Sequence, residues 1–375
     1  MNQIASFPAP GLAHAASVPG SGKIRILVVD DSVVIRRFIT HALSEDPAFE
    51  VVGFAANGIL ALQKVAELKP DVITLDIEMP EMDGLATIRK LREASCKAYV
   101  IMCSTLTSRG AASTIDALVF GANDYVTKPS NSGPMDAALK MLQDELIPKI
   151  KQFFATGNPA SAQRKSSVVV VPGSVRPAVA SAAGGERKIL AVGVSTGGPT
   201  ALMEILPQFP ATFPLPVVIV QHMPPIFTKQ LADRLSAHCS LEVVEASEGM
   251  PLTPGRVVVA PGDYHMRLRR TASGTSVALD QGPRENSCRP AVDVLFRSVS
   301  DVYAGGVIGV ILTGMGQDGL RGVEQLRAKG AYIIAQDRGT SVVWGMPGAV
   351  VEAGLADVVL GLGAVVPEIL RQVVR

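Results

Sequence analysis

The chain has 375 residues, 47% of them hydrophobic and 18% charged, with a formal net charge of +1 at neutral pH. That length exceeds one ordinary core and predicts two domains, while so small a net charge argues against nucleic acid or an anionic membrane as the main partner. The four cysteines, Cys96, Cys103, Cys239 and Cys288, are far apart and form no C-x-x-C pair, which argues against a disulfide framework or a thiolate metal site and fits a reducing cytoplasm.

No apolar run approaches the roughly 18 residues of a membrane span, so direct membrane insertion is not expected. Residues 1–23 are rich in Ala, Pro, Ser and Gly, and Pro8, Pro10 and Pro19 break any signal-peptide core, so the segment reads as a flexible leader. Ile24 to Val29 then reads as a buried strand ending in Asp30 and Asp31, followed by an amphipathic helix over 33–43. Strand-like runs at 51–55, 72–75, 99–103 and 124–127 alternate with helical segments at 58–68, 84–94, 111–119 and 134–150. Five βα units predict an α/β domain over 24–150, a doubly wound, flavodoxin-like parallel sheet whose chemistry collects at the carboxyl ends of its strands.

Those ends carry Asp30 and Asp31, Asp76, Ser104 and Lys128. Three carboxylates at one edge repel each other and call for a cation, and an open all-oxygen site suits Mg²⁺. Lys128 adds a fixed positive charge, leaving Asp76 as acceptor of a phosphoryl group. The stretches VVDDSVVIRR, ITLDIEMPEMDG, VIMCSTLTSRG and GANDYVTKP resemble the signatures of a two-component receiver domain. The resemblance implies phosphorylation at Asp76, an acid pocket of Asp30 and Asp31, and the backbone carbonyl of Glu78 among the metal ligands. It further implies that the Ser104 hydroxyl bonds the phosphoryl group, that Lys128 is its ion partner, and that Tyr125 is an aromatic switch.

Residues 151–187, with Gly157, Pro159, Pro172, Gly173, Pro177 and Gly184-Gly185, read as a linker in which Val168–Val171 is a candidate edge strand or packing segment. From 188 to 375 the alternation resumes, with strands near 189–193, 217–221, 307–312, 331–335 and 357–360. Helices are expected near 200–206, 226–238, 290–303, 320–329 and 364–374, with a hairpin-like region at 242–281. The prediction is a second α/β domain, a mostly parallel sheet with an antiparallel excursion.

Within it GVSTGGP, residues 193–199, places Ser195 at the apex of a strand-to-helix turn in a G-x-S-x-G frame. His222 follows a buried strand just before Pro224, and Asp318 ends the glycine-rich TGMGQDG, whose N–H groups suit an oxyanion hole. As a triad these three would support acyl transfer. Position alone leaves His222 open as a core histidine and Asp318 in competition with Asp263, Asp293 and Asp337. Cys239 and Cys288 are rival nucleophiles ranked lower, since neither precedes a glycine turn. The chain order Ser, His, Asp differs from that of an α/β-hydrolase.

GVSTGGP, VIVQHMP, APGDYHM, RPAVDVLF, GVILTGMGQDG and VVWGMPG together resemble the catalytic domain of the chemotaxis methylesterase family CheB, over residues 188–374. The resemblance implies Ser195 as nucleophile, His222 as general base and acid, Asp318 as its orienting carboxylate and the Met315 backbone as oxyanion donor. It implies a monomeric cytoplasmic enzyme, activated by phosphorylation from the histidine kinase CheA with Mg²⁺, and needing no cofactor for hydrolysis. The substrates it implies are glutamate methyl esters, hydrolysed with release of methanol, and certain glutamines, deamidated to glutamate, on the cytoplasmic helices of chemoreceptors, both through a glutamyl acyl-enzyme. Rival classes are another receiver-gated serine hydrolase and a phosphorylation-controlled binding protein; a transcriptional regulator is disfavoured by the absence of a basic stripe.

Overall fold

The computed structural model describes residues 22–105, 107–128, 135–154 and 186–373. Residues 1–21 of the leader and residues 155–185 of the predicted linker, Val168–Val171 included, lie outside the described residues.

The N-terminal half is a five-stranded parallel sheet: β1 (Ile24–Val29), β2 (Phe49–Ala55), β3 (Val72–Asp76), β4 (Tyr99–Ser104) and β5 (Asp124–Thr127), in the order β2-β1-β3-β4-β5. Strands β1 and β3 are buried almost throughout, as expected of a sheet covered on both faces. The helices are α1 (Val33–Ser44), α2 (Gly58–Leu68), α3 (Gly84–Glu93), α4 (Ser108–Val119) and α5 (Met135–Phe154). Ser32, Asn57, Asp83 and Thr107 cap the first four, each side chain accepting a backbone N–H of the first turn. Helix α4 starts three residues before the expected 111, because the Thr107 cap fixes its start. Helix α5 continues through Phe154, four residues into the segment read as linker, because Phe153 and Phe154 pack on Tyr99.

The C-terminal half holds a seven-stranded sheet of β6 (Ile189–Val194), β7 (Val217–Gln221), β8 (Glu242–Glu245), β9 (Arg256–Val259), β12 (Val307–Ile311), β13 (Tyr332–Gln336) and β14 (Val358–Leu360). Its order is β14-β13-β12-β6-β7-β9-β8 and every pairing is parallel. A separate antiparallel hairpin joins β10 (His265–Thr271) to β11 (Gly274–Asp280). The antiparallel excursion is therefore narrower than the predicted 242–281, since β8 and β9 belong to the parallel sheet. Their connection runs beside β11, with Gly249 N–H to Val277 O at 3.0 Å and Leu252 N–H to Thr275 O at 3.0 Å. The surrounding helices are α6 (Gly198–Ile205), α7 (Phe227–Ser236), α8 (Val292–Tyr303), α9 (Leu320–Ala328), α10 (Met346–Glu352) and α11 (Leu362–Val373). Helix α10 was not expected, because its Gly345-Met346-Pro347-Gly348 start reads as loop; Pro347 sits in its first turn, where no N–H is needed.

Strands β12, β6 and β7 are neighbours, each buried along its whole length, and their carboxyl ends share one rim. The N-terminal domain packs onto the same half. Tyr125 stacks on Phe227 with ring centroids 4.9 Å apart, and Thr200 Oγ1 donates to Leu118 O at 2.9 Å. Arg234 pairs with Asp116 at 3.0 Å, while Val343, with Met315 and Val342, joins the hydrophobic cluster of α1 and α5. Among the described residues, no helix is long and apolar enough to cross a membrane.

Candidate functional site

Two sites form where sequence reasoning put its candidates. In the first, the carboxylates of Asp30, Asp31 and Asp76 lie within 4.8 Å of one another. Lys128 Nζ spans them from the opposite side, 2.7 Å from Asp30 Oδ2 and 2.8 Å from Asp76 Oδ1. Burial pushes Asp76 up to about 6; Lys128 opposes the shift and the nearby Asp30 charge adds to it. Lys128 itself is raised, because the two aspartates outweigh the cost of burying its ammonium. Hard oxygen donors with one exposed member, Asp31, fit a Mg²⁺ ion that keeps part of its water shell.

The other expected members of this pocket are placed less uniformly. Ser104 is buried at the end of β4, but its hydroxyl donates to Gly110 O at 3.2 Å and Thr105 O at 3.3 Å, toward the first turn of α4. The exposed side chain of Glu78, two residues beyond β3, faces Arg109 at 3.7 Å. Tyr125 is buried against Phe227, in the interface between the two halves.

The second site lies at the shared rim of β12, β6 and β7. Ser195 follows β6 in a tight turn closed by Gly198 N–H to Ser195 O at 2.8 Å. Gly314 brings the following loop against it, since a β-carbon at Gly314 would lie 2.9 Å from Ser195 Cβ and would strike Met346 Sδ. His222 follows β7, and its backbone N–H bonds Val194 O at 3.2 Å, beside Ser195. Its Nε2 donates to Asp318 Oδ2 at 2.8 Å. The structure thus brings His222 and Asp318 together, with Ser195 at the adjacent strand end. Among the described residues the Ser195 hydroxyl makes no hydrogen bond to His222.

The other imidazole nitrogen, Nδ1, lies 3.6 Å from the sulfur of Cys288. Burial alone would lower the His222 pKa, but Cys288 and Asp318 together carry it up to about 10. Asp318 is 2% exposed, yet its carboxyl is held below the usual value. His222 and the N–H groups of Val292 (2.6 Å) and Asp293 (3.1 Å) overcome the cost of burial. Those two N–H groups belong to the first turn of α8, whose own cap residue, Ala291, has no side chain to satisfy them. Asp318 is therefore both partner of His222 and cap of a helix 25 residues upstream.

Several residues of this site were not singled out in the sequence as candidates. Gln221 Nε2 bonds Ser195 O at 3.0 Å. Thr313, buried in the glycine-rich loop, donates through Oγ1 to Thr196 O at 2.9 Å and accepts Val343 N–H at 3.0 Å, tying three loops together. Asn286 reaches Asp318 from the loop before α8. From the N-terminal domain, Asp124 Oδ2 accepts the Thr196 hydroxyl at 2.8 Å, one residue beyond Ser195.

Comparison with known proteins places both halves. A model of the CheB methylesterase family matches residues 190–369, and one of the response regulator receiver domain matches residues 26–140. The protein-glutamate methylesterase/protein-glutamine glutaminase of Trichodesmium erythraeum is 47% identical, the match covering 94% of this chain and 99% of that one. Its namesake from a Nocardioides species is 50% identical over 94% of this chain and 96% of its own. The crystal structure of the Thermotoga maritima CheB methylesterase catalytic domain shares 43% identity, with a TM-score of 0.49, covering 50% of this chain and 99% of that one.

The geometry of the carboxylate pocket generates one test. A β-carbon at Gly84 would collide with the Asp76 carbonyl oxygen and lie 2.9 Å from Ile77 Cα. Gly84→Ala is expected to destabilise the N-terminal domain by about 1–3 kcal/mol through overpacking, read as a lower denaturant midpoint; an unchanged midpoint shows that the close approach is tolerated.

Proposed function

Because the chain belongs to the CheB methylesterase family, with a receiver domain ahead of the esterase, we propose that Ser195, His222 and Asp318 carry out its hydrolysis. The protein is a protein-glutamate methylesterase and protein-glutamine glutaminase. The observation that carries the assignment of roles is the 2.8 Å bond from His222 to a buried, ionised Asp318 at the rim where β6 ends in Ser195.

In this mechanism Asp318 holds Nε2–H, which leaves Nδ1 to act as base. The Ser195 hydroxyl turns toward Nδ1, gives up its proton and attacks the side-chain carbonyl carbon of a glutamate methyl ester. The tetrahedral oxyanion faces the Met315 N–H, which donates to no partner among the described residues. Collapse breaks the C–O bond, and His222 returns the proton to the departing methoxide, giving methanol and a glutamyl ester of Ser195. Water, deprotonated by His222, then frees the glutamate. A glutamine follows the same course with ammonia as leaving group.

Control belongs to the receiver, which in a protein of this kind takes its phosphoryl group from a kinase. We assign that role to the histidine kinase CheA and the substrate to the cytoplasmic helices of chemoreceptors, so the enzyme works as a monomer in the cytoplasm in chemotactic adaptation. Asp76 is the acceptor. Asp30, Asp31, Asp76 and the Glu78 carbonyl would hold Mg²⁺, which would supply positive charge to neutralise the phosphoryl oxygens, while Ser104 and Lys128 would bind those oxygens directly. Reaching them requires the Ser104 hydroxyl to leave Gly110 O, which disturbs the first turn of α4. Helix α4 and β5 are the elements that contact Thr200, Arg234, Phe227 and Thr196, so phosphorylation loosens the grip on the nucleophile turn and opens the site. Tyr125 moves with them.

Four variants test this reading. Ser195→Ala is expected to abolish methanol release from methylated receptor fragments, and Asp76→Asn to lose stimulation by a small acyl phosphate; full activity in the first, or undiminished stimulation in the second, overturns the corresponding role. Cys288→Ala removes an interaction that holds the His222 proton, so His222 deprotonates more easily and the acid limb of the kcat/KM profile moves to lower pH, by about one unit. Asp116→Lys replaces a partly exposed ion pair with repulsion, worth about 1 kcal/mol, and is expected to raise unstimulated activity about two- to fivefold in the same methanol assay.

A further inference from the structure

We propose that Asn286 is a positioning residue of the esterase, its side-chain amide holding Asp318 in the ionised form and orientation that His222 needs. The inference rests on the reading of Ser195, His222 and Asp318 as the catalytic triad. Asn286 Nδ2 donates to Asp318 Oδ1 at 2.8 Å and to Asp293 Oδ2 at 3.0 Å. An amide nitrogen carries two hydrogens, and here each serves a different carboxylate. Both acceptors are almost fully buried, Asp318 at 2% and Asp293 at 1% exposure.

Two buried carboxylates sharing one neighbour repel each other, and the strain falls on Asp293, whose carboxyl is raised by burial and by the Asp318 charge. Asn286 supplies a donor to each without adding a positive charge. A lysine or arginine in its place would also bind both, but it would compete with the imidazolium for Asp318 and weaken His222 as a base. The neutral amide engages Oδ1 and leaves Oδ2 to His222 and the Val292 N–H.

The backbone is built to present that amide. Asn286 and Ser287 both adopt positive φ, 50° and 64°, a conformation that asparagine tolerates better than most residues. Reciprocal backbone bonds close the turn, Glu285 N–H to Cys288 O at 3.1 Å and Cys288 N–H to Glu285 O at 2.9 Å. A two-pronged ion pair of Glu285 with Arg297 on α8, at 2.7 and 2.5 Å, anchors it. The same turn sets Cys288 against His222, so both ends of the imidazole–carboxylate pair are approached from one rigid segment. The ionisable groups facing His222 are Asp318 and Cys288; those facing Asp318 are His222, Asp293 and the Glu285–Arg297 pair.

Asn286→Gly is the discriminating variant, because glycine keeps the left-handed backbone and deletes only the amide. Asn286→Asp keeps the shape and replaces the donor with a third carboxylate. Both are assayed as full-length protein on a peptide glutamate methyl ester, with thermal unfolding followed in parallel. For Asn286→Gly the expected result is a fall in kcat of about tenfold or more with KM within about twofold, the pattern of a transition-state interaction. Asp318, deprived of a donor, grips the imidazolium harder, so the acid limb of the pH profile moves upward, and further still in Asn286→Asp. Wild-type kcat with an unmoved acid limb overturns the proposal, as does a loss that only tracks a lowered unfolding temperature while the pH profile stays in place. A Ser195→Ala control separates the two readings. Full hydrolysis by that variant refutes the triad itself, whereas an inactive Ser195→Ala beside unaffected Asn286 variants refutes only the role of Asn286.

Discussion

A carboxylate withdrawn from water stays ionised only if N–H groups replace the water, and Asp318 has five of them. His222 and Val292 serve Oδ2, while Asn286, Asp293 and Gly319 serve Oδ1. Without them, burial would protonate Asp318 and leave His222 with no reason to hold one ring orientation. The same bonds satisfy the start of α8, so a helix that packs against β6, β10 and β12 is fixed to the carboxylate that bonds His222. Catalytic geometry and C-terminal core are therefore stabilised by one set of contacts.

A second constraint comes from the N-terminal domain. The Asp124 side chain accepts from three groups: the Tyr125 N–H, Lys149 on α5, and the Thr196 hydroxyl of the nucleophile turn. Its neighbour Tyr125 stacks on Phe227 at the start of α7. A shift of β5 or α5 is thus felt one residue from Ser195 through a hydrogen bond and at α7 through a ring contact. Both contacts lie outside the His222–Asp318 pair itself.

The carboxylate pocket was legible in the sequence because each of its members ends a strand, and strand ends are where hydrophobic periodicity is most informative. Asp30, Asp31, Asp76 and Lys128 meet as that periodicity requires. The rim of β12, β6 and β7 was legible for the same reason. What surrounds Asp318 was not. Its donors come from Val292 and Asp293, whose N–H groups have no side-chain signature, and from Asn286 in a loop with no period. Cys288 was ranked below Ser195 for lack of a glycine turn, yet it lies against His222, because closeness in space came from a turn of left-handed residues that pattern reading does not register. Strands β8 and β9 read as a hairpin for a related reason. Gly249, Pro251, Pro254 and Gly255 between them look like a tight return, whereas the segment is a crossover paired along β11.

The resting geometry of His222 connects these observations. With Nε2 on Asp318 and Nδ1 facing Cys288, both ring nitrogens are engaged, and these two neighbours raise the imidazole pKa to about 10 against the effect of burial. A hydrolase with a surface-exposed, permanently primed serine would act on any accessible ester. The turn that carries Ser195 is the element that Asp124 holds through Thr196. The contact between the two halves thus falls one residue from Ser195, on the turn beside the His222–Asp318 pair.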